Sequence, residues 1–150
     1  MNKFFSSKMK VFFDASIIIA AMLSNTGGSS FLLEYAKLGK ITGITSQTAI
    51  DEVLEEDKPK KLHRSKKDLE QFIASSGLLV RERITLQDIT PYQDMIDIED
   101  AHLIAGAKLT KCDYLVTLDK RHLLHKDIQK RFLPLQIVSP KESLEKIISD

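Results

Sequence analysis

Two apolar runs in this 150-residue chain each close on an aspartate, "KVFFD" at 10–14 and "DYLVTLD" at 113–119. Short continuous runs of β-favouring residues describe strands buried on both faces, and such strands belong to parallel sheets covered by helices on either side. The closing acid then falls at the carboxyl edge of its strand, where a charge next to apolar segments is costly without compensation. Three further runs read as strands, "ITGITS" at 41–46, "LLVRERI" at 78–84 and "PLQIVS" at 134–139.

Between the strands the period changes to that of helices. "SFLLEYAKLGK" closes on Gly39 as a C-terminal cap, and "SQTAIDEVLEE" opens on Ser46 as an N-cap, with Ile50, Val53 and Leu54 on one face. "DLEQFIASSG" stops at Gly77, and "IEDAHLIAGAKLTK" has an acidic first turn and a basic last turn, as the helix dipole favours. "KRHLLHKDIQKRF" reads as a turn and short helix, and "PKESLEKII" as a last helix with Pro140 in its first turn. Pro91 falls in a connecting loop. The alternation predicts an α/β fold of three layers, helices on both faces of a mainly parallel five-stranded sheet.

The length suits one domain, expected over 9–150 behind a loosely attached extension at 1–8. A net charge of +1 leaves any attraction to nucleic acid to local distribution. The single Cys112 excludes an internal disulfide and a thiolate metal site and suits a reducing compartment, so a cytoplasmic location is expected. Lys3, Lys8 and Lys10 before "VFFDASIIIAAML" loosely imitate a signal peptide. Asp14 interrupts that apolar run and no convincing cleavage site follows; the run also falls far short of the ~20 residues of a membrane span.

The acids concentrate where such a fold would bring them together. Asp14 and Asp119 end strands, the 97–107 helix starts among Asp94, Asp97, Glu99 and Asp100, and Glu52 lies at the edge of an apolar helix face. Turn or cap roles account for some of these taken singly, with Asp97 the natural cap of its helix. In a doubly wound sheet, however, Asp14, Asp119, the start of the 97–107 helix and the Glu52 helix converge on one carboxyl-end crevice. Carboxylates collected there repel one another unless a cation neutralises them, and a hard divalent ion such as Mg²⁺ or Mn²⁺ does so through oxygen ligands. An ion of that kind lowers the pKa of water and polarises a phosphoryl oxygen, which is the chemistry of phosphodiester hydrolysis.

At these residues the chain resembles the PIN domain family of metal-dependent nucleases, which includes VapC-type toxins. "VFFDAS", "SQTAIDEVLEE", "EDAHLIAGAKL" and "DYLVTLD" are similar to the family's four acidic motifs in order, and "IVSPKESLEKI" to its closing strand and helix. The resemblance implies Asp14, Glu52, Asp100 and Asp119 as metal-binding acids, with Asp97 a further candidate that could join or replace Asp100. It also implies Ser16 and Thr117 as hydroxyls holding an acid or a water, a five-stranded parallel sheet, cleavage of RNA by activated water, a homodimer and, for a toxin, a small antitoxin partner.

Six Lys or Arg residues fall in 58–67 and five in 120–131. The first run reads equally as a solvated face, whereas Lys120 and Arg121 adjoin Asp119 and could guide a phosphate backbone into an acidic crevice. His122 and His125 lack the further nitrogen or thiolate ligands of a zinc site. His102 reads as a partly buried helix residue rather than a general base. "SNTGGSS" lacks the spacing and the Lys-Ser/Thr ending of a phosphate loop. A receiver domain would need paired acids after its first strand, and a haloacid-dehalogenase-like phosphatase a second aspartate where Ser16 stands. A non-catalytic module binding RNA or protein is the remaining alternative to a nuclease.

Overall fold

The computed structural model describes residues 8–55 and 57–149. Apart from Lys8, the extension expected at 1–8 lies outside the described residues. Five strands, β1 (Lys10–Phe13), β2 (Thr42–Ser46), β3 (Leu79–Arg81), β4 (Tyr114–Val116) and β5 (Gln136–Val138), form one parallel sheet in the order β3-β2-β1-β4-β5. The expected three-layer α/β architecture is therefore present. The chain builds outward from β1 through β2 to β3, then returns to place β4 on the other side of β1. That reversal makes the gap between the ends of β1 and β4 the topological switch point, where such sheets leave a crevice.

Alternation along the central strands divides the core. Phe12 and Leu115 face α7 (Ile98–Leu109) and the segment carrying Leu123 and Phe132. Val11, Phe13, Tyr114 and Val116 face α1 (Ala15–Leu23) and α2 (Gly28–Lys37), with Leu144 and Ile147 of α9 (Pro140–Ser149) packed against that cluster. A third cluster joins α1 to α3 (Gln47–Val53) and α5 (Lys66–Ala74). The apolar run that imitates a signal peptide is thus largely a core helix, with Ala15, Ile17, Ile18 and Ala21 buried. No single helix among the described residues is long and apolar enough to cross a membrane.

Several local readings are refined. Gly39 and Gly77 take positive φ, 74° and 81°, just past the ends of α2 and α5, the conformation glycine accepts without a Cβ penalty. Ser46 caps α3 by accepting from the Ala49 amide at 3.0 Å. Helix α5 starts earlier than its apolar pattern suggests, because Ser65 caps it by accepting from the Asp68 amide. The basic stretch before it contains the short α4 (Asp57–Lys61). The connection read as a loop around Pro91 holds α6 (Leu86–Ile89) and a 3₁₀ turn at Thr90–Tyr92. Thr85 and Asp88 close a reciprocal capping box there, which organises a segment too short for periodicity to reveal. The short α8 (Lys126–Arg131) lies between β4 and β5.

The height of α7 above the sheet is set by Gly106, where an added Cβ would meet the buried Phe12 ring at 2.6 Å. Overpacking of about 1–3 kcal/mol should outweigh the ~1 kcal/mol gained in helix propensity. Gly106→Ala is therefore expected to lower the thermal midpoint, and Gly106→Val to lower it further. A midpoint unchanged in both variants, measured by circular dichroism, would show that the helix is not held this close.

Candidate functional site

Asp14 follows β1 directly and occupies the N-cap position of α1, yet its side chain makes no capping bond. Its carbonyl accepts from the Ile17 amide instead, and its carboxylate turns to the neighbouring strand end. Thr117 Oγ1 donates to Asp14 Oδ2 at 2.7 Å, and Ser16 Oγ donates to the same oxygen at 3.0 Å. Both hydroxyls are held in turn by the backbone that follows β4: the Asp119 amide donates to Thr117 Oγ1 at 3.1 Å and the Leu118 amide to Ser16 Oγ at 3.3 Å. The two strand ends are thus laced together through one carboxylate. Only 7% of Asp14 is exposed.

That burial raises the Asp14 carboxyl above its ordinary range; the Thr117 and Ser16 hydroxyls oppose the rise and the charge of Glu52 adds to it. Asp100, in the first turn of α7, is half-buried and also raised, first by desolvation and then by Asp119, with Asp14 and Asp97 adding and His122 opposing. Glu52 shares a cavity of about 460 Å³ with Asp14, Ser16, Glu99, Asp100 and Leu118. Asp119 lies outside that cavity but close beside Asp100. Its Oδ1 accepts from the Arg121 and His122 amides, both at 3.2 Å, and its Oδ2 lies 3.4 Å from His122 Nδ1.

The four acids read from the sequence therefore meet at the switch point. Asp97 does not stand with them in the same way. It occupies the N-cap position of α7 without a side-chain capping bond, is exposed, and lines a second cavity of about 520 Å³ on the other side of Asp100. Arg121 and His122 border that second cavity too, whereas the exposed Lys120 lines neither. Lys60, Lys61, Arg64, Lys66 and Lys67 are exposed and border neither cavity, which agrees with a solvated face.

Two histidines gain significance. Asp100, Asp119 and His122 each present one ligand atom within 4.8 Å of the others, so His122 joins the acids while His125 turns to Asp127. His102 is buried, and its Nε2 lies 2.5 Å from Glu52 Oε1. Periodicity could place His102 inside α7 but not identify its partner on α3. Among the described residues no Lys or Arg forms an ion pair with Asp14, Glu52, Asp100 or Asp119. A hard divalent cation such as Mg²⁺ or Mn²⁺ fits this oxygen-rich donor set. Cys112 has no part here: burial pushes its thiol up to about 11, which leaves it unreactive.

Comparison with known proteins agrees with this geometry. A family model described as PIN domain matches residues 10–121, the span that contains all four acids. Among solved structures, PAE2754 from Pyrobaculum aerophilum superposes with a TM-score of 0.59 at 17% identity, covering 99% of this chain and 97% of that one. VapBC2 from Rickettsia felis, bound to a DNA fragment from its promoter, gives 0.59 at 15% identity, covering 87% of this chain and 98% of that one. No curated protein matches the chain. With the family motif spanning the strands and helices that carry the acids, the chain belongs to the PIN domain family.

Proposed function

We propose that the protein is a metal-dependent endoribonuclease in which Asp14, Glu52, Asp100 and Asp119 hold Mg²⁺ or Mn²⁺. The observation that carries this reading is the gathering of four carboxylates, one of them buried, with no Lys or Arg ion pair among the described residues. A divalent cation bound there would supply charge neutralisation on the phosphate and a lowered pKa for the attacking water. Thr117 and Ser16 fix Asp14 by donating to Oδ2, so its orientation is set before any ligand arrives. Asp97 is the weaker candidate as a ligand, being exposed on the side of Asp100 away from the cavity that Asp14 and Glu52 share. Arg121, with Lys120 beside it, offers positive charge next to that acidic rim and would receive the RNA backbone.

The same reading extends to partners and setting. Membership of the PIN family, with a VapBC2 pair among the similar folds, supports a toxin role in which a small antitoxin protein covers the crevice. A homodimer and a cytoplasmic location complete the proposal, the latter consistent with one half-buried thiol.

Cleavage of total RNA should require Mg²⁺ or Mn²⁺ and stop with chelator. Asp14→Asn and Asp119→Asn should each reduce it by about a hundredfold or more, because several kcal/mol of transition-state stabilisation is removed at ~1.4 kcal/mol per decade. RNA bound equally well by wild type and both variants, with no cleavage by any of them, would instead establish a binding module. Hydrolysis of small phosphate esters with RNA left intact would establish a phosphatase.

Arg121→Ala should weaken RNA binding and reduce the slope of log affinity against log salt by about one if it neutralises one phosphate. An unchanged slope, measured by filter binding across salt concentrations, would remove Arg121 from the RNA path.

The electrostatics also predict a stability effect. Asp14 and Asp100 are raised in the folded state, so the unfolded chain ionises them more readily and their ionisation favours unfolding. Their contribution is fully present below the ordinary carboxyl value of 3.8 and is lost as pH rises through the folded value. Metal-free Asp14→Asn should therefore melt above wild type near neutral pH, by roughly 2–4 °C for each kcal/mol of strain relieved, with the gap closing toward about pH 4. Added Mn²⁺ should stabilise wild type alone. Calorimetry showing the variant below wild type at neutral pH would contradict the assignment of a destabilising charge to Asp14.

A further inference from the structure

His102 lies two residues beyond Asp100 on α7, and its ring meets Glu52 of α3. It is 7% exposed, its Nε2 is 2.5 Å from Glu52 Oε1, and its buried Nδ1 has no hydrogen-bond partner among the described residues. A carboxylate only accepts, so at this separation the ring nitrogen facing Glu52 carries the hydrogen. The unpartnered Nδ1 takes no part in the contact. An imidazole committed to one side chain, with its other nitrogen left unsatisfied, serves that contact rather than a polar network.

Glu52 is held differently from Asp14 and Asp119. Asp14 is held by two hydroxyls and Asp119 by two backbone amides. Glu52 has a longer side chain on a helix of 7 residues, and among the described residues His102 is its only ion-pair contact. Left alone it would sample rotamers away from the cavity, and ordering it on ligand binding would weaken affinity.

We infer that His102 is a positioning residue for Glu52: the close contact of its Nε2 with Oε1 holds the carboxylate at the crevice shared with Asp14 and Asp100. This rests on the metal-binding reading of the four acids. It ties α7 to α3 across the end of the sheet, so the acid that starts α7 and the acid near the end of α3 are set at a fixed spacing. Groups that orient a metal-binding carboxylate typically change metal affinity by 10–100-fold when removed.

The test is Mn²⁺ binding to the full chain, followed by the electron paramagnetic resonance of the free ion and independent of any RNA assay. His102→Leu fills the same apolar space without a donor, and His102→Gln restores an amide hydrogen near the position of Nε2. The Leu variant should keep the wild-type melting temperature without metal yet bind Mn²⁺ 10–100-fold more weakly, with Gln recovering most of the loss. Wild-type affinity in a folded Leu variant overturns the inference while leaving the metal reading intact; absence of Mn²⁺ binding by wild type overturns both. Should the Leu variant not fold, ¹⁵N resonance of the wild-type imidazole decides: hydrogen on Nε2 supports the contact, and hydrogen on Nδ1 alone overturns it.

Discussion

Asp14 Oδ2 receives hydrogen bonds from hydroxyls that precede and follow the reversal of strand order, Ser16 after β1 and Thr117 after β4. Strands β1 and β4 are adjacent in space but some hundred residues apart in sequence, and backbone pairing alone fixes only their register, Phe13 opposite Val116. Beyond that pair the ladder continues by one bond, from the Asp14 amide to the Val116 carbonyl at 3.2 Å, before the chains diverge. The carboxylate bridges the opening at the point where the sheet can no longer do so. Burying it there is unfavourable for an ion, as its raised pKa records, and the two hydroxyls offset only part of that penalty.

The rest of the structure supports this unfavourable placement. Phe12, Phe13, Leu115 and Val116, all fully buried, anchor the two strand ends from opposite faces. Gly106 lets α7 settle directly on Phe12, which brings Asp100 to the rim. The Ser46 cap starts α3 immediately after β2, so Glu52 arrives within two turns of the sheet edge. Local devices of ordinary kinds therefore deliver four like charges to one place, and the favourable terms lie in the core beneath them. Sites that violate local electrostatic preference while their surroundings obey it are where function is expected.

Much of this was legible in the chain itself. The run "KVFFD" identifies a central strand because Val11, Phe12 and Phe13 are all buried, and the chain returns to that strand's neighbour with "YLVTLD". Caps at Ser46 and glycines at 39 and 77 carry their own chemistry, so the ends they mark are read from single residues. α6 and its 3₁₀ turn were not legible, because four residues give no helical period and the Thr85–Asp88 pair is recognisable only once the turn exists. Nor could the sequence decide between Asp97 and Asp100. They lie three residues apart on one side of a helix, and the difference between an exposed rim and a half-buried one depends on how α7 packs. His102 is the sharpest case: its place within α7 follows from periodicity, its partner only from how two helices meet.

Asp100 divides the crevice into two chemically unlike parts. On one side, Asp14 and Glu52 share a cavity with Ile19, Ala20, Leu23 and Leu103, so the charges there face an apolar wall that strengthens their interaction. On the other, Asp94, Asp97 and Asp127 stand among Arg121, His122, His125 and Arg131, where opposite charges are interspersed. A polyanion approaching the acids meets repulsion on the first side and partial compensation on the second. The proposed RNA path therefore enters on the side of Arg121, toward a cation held where Asp14, Glu52, Asp100 and Asp119 meet, and the apolar wall helps to exclude bulk water. This division also gives the two histidines separate tasks on opposite flanks of one acid, His122 beside Asp119 where substrate would approach and His102 beneath Glu52 where the carboxylate must stay still.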